Sequence, residues 1–463
     1  MFYRKITEQL RKWKSNPQRP PLIIQGLRQV GKTAVAIAFG NEHYDNVFYV
    51  DFRKQIDAHA IFDGDFDIDA VAFALSTLPQ DKRIKKGAKL QPGNALFIFG
   101  EIQDCPNARS CLKYFRQDGR YDVVCTGSLL GVKDYRRIKQ PNRGIDVGSE
   151  ELITMYPMDF EEFFLATGGE TQTIDLLRSC LEKRKQIPDF FHKKLSELFL
   201  QYLLIGGMPE MVAKFCATKD YALVRQTQKR LLADFGSDFG THLNDDLTLE
   251  TDDVERAIIS ETFLSIPRQL AKENKKFQYS VIKPRGDART YGFAIDYLND
   301  YGLIEIARNV SELDFPLDYF VKEGQFKIYF ADEGLFMAML DDTIPSMVLC
   351  DELGTGKGML YENIVANAFH KMGRKLFYYR RDSGLEIEFV SPFSNDISLI
   401  EAKPKSGTSK AASTLLNDTR CKAKHLVRIT SSNIGYVNNI LTIPHYMTFL
   451  LNELRFESLG DEA

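Results

Sequence analysis

Five short apolar runs punctuate the first 165 residues, at Leu22 to Ile24, Val47 to Val50, Ala95 to Phe99, Val123 to Cys125 and Leu152 to Met155. Polar segments of helix length separate them. Strands buried on both faces read as continuous apolar runs, and helix-length spacers join parallel strands. The pattern therefore predicts an α/β unit over 1–165, a parallel sheet with helices on both faces. From about Thr171 to Phe239 the periodicity becomes helical. It breaks at Gly206-Gly207-Met208-Pro209, where Gly-Gly ends one helix and Pro starts the next. This predicts a helical segment over 166–252.

In residues 253–350, Tyr291, Ala294, Ile295 and Leu298 recur at one helix face, and Leu303-Ile304-Glu305-Ile306 reads as a strand. Helices followed by a β-hairpin predict a winged-helix-like module. Asp351 to Gly358 is Gly-rich and reads as a linker, and although it contains a Gly-Lys pair, both ends of a phosphate-loop motif fail there. Residues 359–463 open with a helix and continue through strand-like runs at Lys375 to Tyr379, Leu385 to Val390 and Ser398 to Ala402, a second α/β domain. There is no internal repeat or low-complexity tract.

Composition narrows the function classes. The 463 residues are 44% hydrophobic and include 33 Phe and 20 Tyr, which excludes global disorder and predicts two to four domains. Sixty Lys and Arg against 63 Asp and Glu leave a net charge of -3, so nucleic acid is not bound by bulk charge, although a local basic patch remains open. No stretch approaches the roughly 18 apolar residues of a transmembrane helix, and the polar start lacks the core of a secretion signal. Seven scattered Cys without a CxxC pair and seven His without HxxxH argue against a disulfide scaffold or structural zinc. A cytoplasmic protein with no membrane partner is expected.

The sharpest motif is Gly26-Leu27-Arg28-Gln29-Val30-Gly31-Lys32-Thr33, which fits GxxxxGK[ST] between an apolar run and a helical stretch. Such a loop turns its N–H groups inward around phosphate oxygens at a helix N-terminus. Lys32 would bridge the β- and γ-phosphates of ATP, and the Thr33 hydroxyl would ligate Mg²⁺. The second half of the site is Ala95 to Phe99 followed by Gly100-Glu101-Ile102-Gln103. An Asp usually stands at the position of Gly100, so its absence predicts nucleotide binding with impaired hydrolysis. Glu101 can orient or deprotonate the attacking water. Thr126 and Ser128, after the run Val123 to Cys125, either place a hydroxyl near the γ-phosphate or cap a helix.

At these residues the chain resembles the prokaryotic AAA+-like P-loop ATPases that carry a C-terminal nuclease-like domain of unknown function. The resemblance rests on Pro21 to Thr33, Phe97 to Gln103, Thr126-Gly127-Ser128, Met155-Tyr156-Pro157-Met158-Asp159-Phe160-Glu161-Glu162-Phe163 and Gly206-Gly207-Met208-Pro209-Glu210, and spans nearly the whole chain. It implies an AAA+-like core over 1–165 and a lid over 166–252. The family pattern reads Asp-Glu-Ile-Gln where this chain has Gly100-Glu101-Ile102-Gln103. Arg136, Arg137 and Arg143 are arginine-finger candidates by location, with solvated surface charge as the alternative.

Near the C-terminus, Glu401-Ala402-Lys403 follows the run Ile397 to Ile400, and alternation puts Glu401 and Lys403 on one strand face. Turn formers between Pro392 and Asp396 predict a hairpin bringing Glu388 beside Glu401, with Glu362 on the preceding helix. Carboxylates with a Lys can bind a hard cation and activate water for phosphodiester hydrolysis. The arrangement resembles the PD-(D/E)xK nucleases over 359–463, with Glu388 in place of the usual Asp. The longer side chain moves the carboxylate by about one methylene, against a tolerance of about 0.5 Å, so fold and cleavage are separate expectations. Between Glu401 and Thr430, seven Lys or Arg (403, 405, 410, 420, 422, 424, 428) face two acids, a patch suited to DNA phosphates or to solvent.

Together these features predict an ATP- and Mg²⁺-dependent ATPase whose nucleotide state controls a DNA-associated, nuclease-like C-terminal half, with oligomerisation left open. The rivals are a nucleotide-gated switch or scaffold with little turnover, and a metal-dependent nuclease regulated by nucleotide.

Overall fold

The apolar runs become strands because those inside the sheet can bury both faces and pair both edges. In a computed structural model, residues 1–84, 90–129, 148–239, 249–272, 275–350, 352–354, 356–393, 396–404, 410–418 and 421–456 are described. The chain divides into two compact units, the first formed mainly by Met1–Pro157 and the second beginning at Met158.

The first unit holds β1 (Leu22–Gly26), β2 (Asn46–Asp51), β3 (Ala95–Gly100), β4 (Asp122–Ser128) and β5 (Glu151–Thr154) in one sheet of order β2-β3-β4-β1-β5. Every pairing is parallel. All five apolar runs are thus strands. The interior strand β3 is buried at every position, as a strand covered on both faces must be. Helices α1 (Ile6–Ser15), α2 (Lys32–His43), α3 (Ile68–Thr77) and α4 (Pro106–Asp118) supply the cover. One core gathers Phe52, Phe62, Phe97, Phe99 and Phe115.

The second unit departs from the expected division. Its sheet has eight strands: β6 (Ile304–Val310), β7 (Val321–Phe330), β8 (Leu376–Arg380), β9 (Glu386–Phe393), β10 (Asp396–Ala402), β11 (Ala423–Thr430), β12 (Gly435–Val437) and β13 (Ile440–Pro444), in the order β12-β13-β11-β10-β9-β8-β6-β7. The hairpin β6–β7 is the expected wing, but β6 also pairs in parallel with β8, from Ala307 opposite Leu376 to Val310 opposite Tyr379. With both edges of β6 paired, by β7 and by β8, strands from 253–350 and 359–463 lie in one sheet.

By compactness the division falls a few residues before the expected boundary at 165. Helix Phe160–Ala166 belongs to the second unit, because Phe160 packs against Phe199 and Tyr202 with ring centroids 5.8 Å apart. The linker is shorter than expected too, since Lys357 and Gly358 already lie in helix Lys357–Lys371.

Candidate functional site

β1 delivers the chain into a loop that only certain residues can make. A β-carbon on Gly26 would lie 2.2 Å from the Met155 carbonyl oxygen, so the loop leaves the sheet through a space open to glycine alone. Gly31, at φ 96°, closes the loop and is the residue before α2. It offers no capping side chain, so the first-turn N–H groups of α2 receive none from that position, the arrangement suited to phosphate oxygens. Arg4 braces the loop from outside, donating to the Val30 carbonyl (2.8 Å) and the Tyr156 carbonyl (2.6 Å).

Lys32 is 6% exposed and donates from Nζ to the carbonyls of Gly26 (2.9 Å) and Leu27 (3.0 Å). Burial lowers its pKa to about 8, opposed by the charge of Glu101 and aided by that of Arg28. The ammonium is therefore held over the loop and electrostatically coupled to the end of β3. Thr33 Oγ1 stands 3.5 Å from Thr126 Oγ1, the end of β4 being brought beside the loop by the register of Ile24 with Thr126 and Gly26 with Ser128. Thr126 and Ser128 are both buried at that end.

Glu101 sits just past β3 at φ 51°, a left-handed conformation that turns the chain away from the strand. Its carboxylate accepts from Gln103 Nε2 at 2.7 Å and lies 3.8 Å from the Arg53 guanidinium. Gly100 has a structural cause. A β-carbon there would stand 2.8 Å from the Tyr49 hydroxyl and 3.0 and 3.2 Å from its ring carbons Cε2 and Cζ. The space of the usual Asp is filled by an aromatic side chain of β2. Arg136, Arg137 and Arg143 lie outside the described residues.

In the second unit the hairpin β9–β10 forms, antiparallel from Asp396 opposite Phe393 to Ile400 opposite Phe389. Glu362, Glu388, Glu401 and Lys403 come into one neighbourhood, since Glu388 and Lys403 each feel the charges of the others. Each of these carboxylates also has a cationic side chain nearby. Lys403 binds Glu388, and Lys275 binds Glu362. The fully buried Lys327 binds Glu386 at 2.6 Å and lies 3.9 Å from Glu362, which also accepts from Tyr329 Oη at 3.2 Å. Arg428 Nε stands 3.8 Å from Glu401. Among the described residues, no group of three or more His, Cys, Asp or Glu side chains is arranged to hold a metal ion. Buried carboxylates are costly unless paired, and here lysines pair with Glu362, Glu386 and Glu388. Lys275 and Lys327, which sequence reading missed, come from segments far from the ExK motif; no local spacing signals them. Lys405 and Arg420 of the basic stretch lie outside the described residues.

Two of the five segments that carry the family resemblance touch. Met158 N donates to the Gly207 carbonyl (2.7 Å), Gly207 N donates to Asp332 Oδ2 (2.6 Å), and Tyr202 Oη donates to the Met158 carbonyl (2.8 Å).

Comparison with known proteins agrees with the loop. Residues 18–164 match a family model described as an AAA domain. The N-terminal unit is an AAA-type P-loop ATPase domain. Beyond the AAA domain, residues 196–345 and 357–446 match two models described as domains of unknown function, DUF8612 and DUF4143. No curated protein matches the chain. Among solved structures, it is similar to the Walker-type ATPase paby2304 of Pyrococcus abyssi, at 15% identity and a TM-score of 0.42, covering 73% of this chain and 96% of that one. It is also similar to the Aeropyrum pernix ORC2 protein, solved as ADPNP–ADP complexes, at 15% identity and a TM-score of 0.34, covering 76% and 94%. No helix among the described residues is long and apolar enough to cross a membrane.

Proposed function

We propose that the AAA domain binds ATP with Mg²⁺ and turns it over slowly, and that its nucleotide state governs a C-terminal half that associates with DNA. The observation that carries the nucleotide reading is Lys32, buried and held over the loop carbonyls beside the start of α2. Residues 26–33 cradle the phosphates, with Lys32 on their charge and Thr33 toward the metal. The oxygens at this end of the sheet suit a hard cation: the Thr33 hydroxyl, the Glu101 carboxylate and Asp51, whose Oδ1 is buried without a hydrogen-bond partner among the described residues. Bound there, Mg²⁺ would neutralise charge on the transferring phosphoryl group. Glu101 is the general base for water, and Thr126 with Ser128 lines the γ-phosphate side.

The absence of an Asp at 100 favours the second reading, a nucleotide-gated switch with little turnover. ATP turnover of the pure protein separates the two. A Glu101→Gln variant should lose about 100-fold of whatever rate exists while still binding ATP.

For the C-terminal half we favour DNA association without cleavage, because Glu362, Glu386 and Glu388 are neutralised by lysines. Phosphate-dominated binding releases counterions, so affinity for duplex DNA should fall steeply between 50 and 200 mM salt, on the order of 10-fold or more. Binding that is absent at low salt, or flat across salt, would make a protein partner the better account. Plasmid nicking with Mg²⁺ or Mn²⁺ would restore Glu362, Glu388 and Glu401 as metal ligands with Lys403 as the nuclease-like lysine.

A further inference from the structure

The ATP site lacks a carboxylate at residue 100, yet the strand beside it carries one at the same height. β2 and β3 run parallel with Asp51 directly opposite Gly100. Paired residues of neighbouring strands project to the same face, so Asp51 points to the side on which a residue at 100 would point, one strand away, about 4.8 Å. Tyr49, two residues earlier, projects to that face as well. Its hydroxyl stands 2.8 Å from the place of a β-carbon at 100 and donates to Asp51 Oδ2 at 3.2 Å.

We infer that Tyr49 and Asp51 act together as the positioning pair that replaces the missing carboxylate, Asp51 supplying the negative charge and the Tyr49 hydroxyl carrying its influence to the metal–nucleotide complex. This rests on the nucleotide reading above.

Four further observations support the pair. Asp51 is held in place: its backbone N–H donates to Gln55 Oε1 at 2.9 Å, and Lys54 Nζ, on an 80% exposed side chain, lies 3.4 Å from Oδ2. Its other oxygen, Oδ1, is buried without a hydrogen-bond partner among the described residues, an acceptor left over after the fold has formed. Arg53, two residues on, reaches Glu101 at 3.8 Å and Asp104 at 2.8 Å, tying the end of β2 to the end of β3. The charge of Glu101 is felt both by the Tyr49 hydroxyl and by Lys32, which places the pair at the nucleotide end of the sheet. A phenol that donates its only proton to a carboxylate keeps its own lone pairs for a donor such as a water of a hydrated cation. A Tyr filling space alone would need no carboxylate behind it, and Phe would serve.

The test is ATP affinity of the full chain by calorimetry, with excess EDTA and again with Mg²⁺, for the native protein, Asp51→Asn and Tyr49→Phe. The increase in affinity that Mg²⁺ brings should shrink about fivefold in Asp51→Asn and about threefold in Tyr49→Phe, while affinity in EDTA holds or rises slightly as a negative charge is removed. A purely structural role would alter the melting temperature and leave the Mg²⁺ increment alone. Tyr49→Phe keeps the ring, so it carries the test if Asp51→Asn does not fold. The swap Tyr49→Val with Gly100→Asp should recover the increment that Tyr49→Val loses. An unchanged increment in both single variants overturns the pair and leaves the nucleotide reading standing. ATP binding that is absent, or indifferent to Lys32→Ala, overturns both.

Discussion

Lys403 binds Glu388 across the β9–β10 hairpin, and the two partners respond unequally. Lys403 reaches solvent and is held charged, with its pKa raised against burial by Glu388 and Glu401. Glu388 is buried beside Glu362 and Glu401, and desolvation raises its pKa to about 7 despite the lysine. A carboxyl raised in the folded state contributes stability that is full below its unfolded value of about 4.5 and is lost as pH rises through about 7. Relative to Glu388→Gln, the native protein should lose about 2 kcal/mol between pH 5.5 and pH 8.5. Urea denaturation of both at the two pH values measures it, and parallel curves would show that Glu388 is ionised throughout.

Lys32→Ala removes the charge that residues 26–33 are shaped to present. Charge-assisted hydrogen bonds contribute about 1.5–3 kcal/mol, so ATP affinity should fall about 10- to 100-fold. Calorimetry in Mg²⁺ reads this directly. Because the Lys32 ammonium also bonds the Gly26 and Leu27 carbonyls, the loop loses two internal contacts, and a drop in melting temperature should accompany the change.

Gly100→Asp, the obvious restoration of the family pattern, should not restore activity by itself. Its β-carbon meets the Tyr49 hydroxyl and ring, and overpacking of this kind costs about 1–3 kcal/mol. The single variant should melt lower and hydrolyse ATP no faster. With Tyr49→Val the space opens, and turnover should rise above native. A single variant that is stable and fast would show that Tyr49 moves aside freely.

Gly207→Ala should be among the most damaging small changes in the chain. Its β-carbon would stand 2.0 Å from the Met158 carbonyl oxygen, in a junction already tied by Asp332 and Tyr202. A loss of about 3 kcal/mol or more is expected, read as a lowered urea midpoint. The neighbouring Met208→Leu conserves volume and should cost less than about 1.5 kcal/mol.

The chain's own order of residues determined much of the first unit. Strands β1 to β5 lie on the five apolar runs, and the phosphate loop stands between β1 and α2, because both signals are local: a strand buried on two faces needs an unbroken apolar run, and a loop that wraps phosphate needs Gly at fixed spacing before Lys and Thr. The β9–β10 hairpin was legible for the same reason, through its turn residues and alternation. Other features had no local signature. Nothing between residues 304 and 330 announces that β6 will pair with β8, since a strand edge chooses its partner by proximity. The lysines that neutralise Glu362 and Glu386 come from positions 275 and 327, and the reason residue 100 is glycine lies at Tyr49 on the next strand. Charge balance and space filling act through distance in the folded chain, so the residues that settle them stand far apart in sequence and meet only once the sheets have formed.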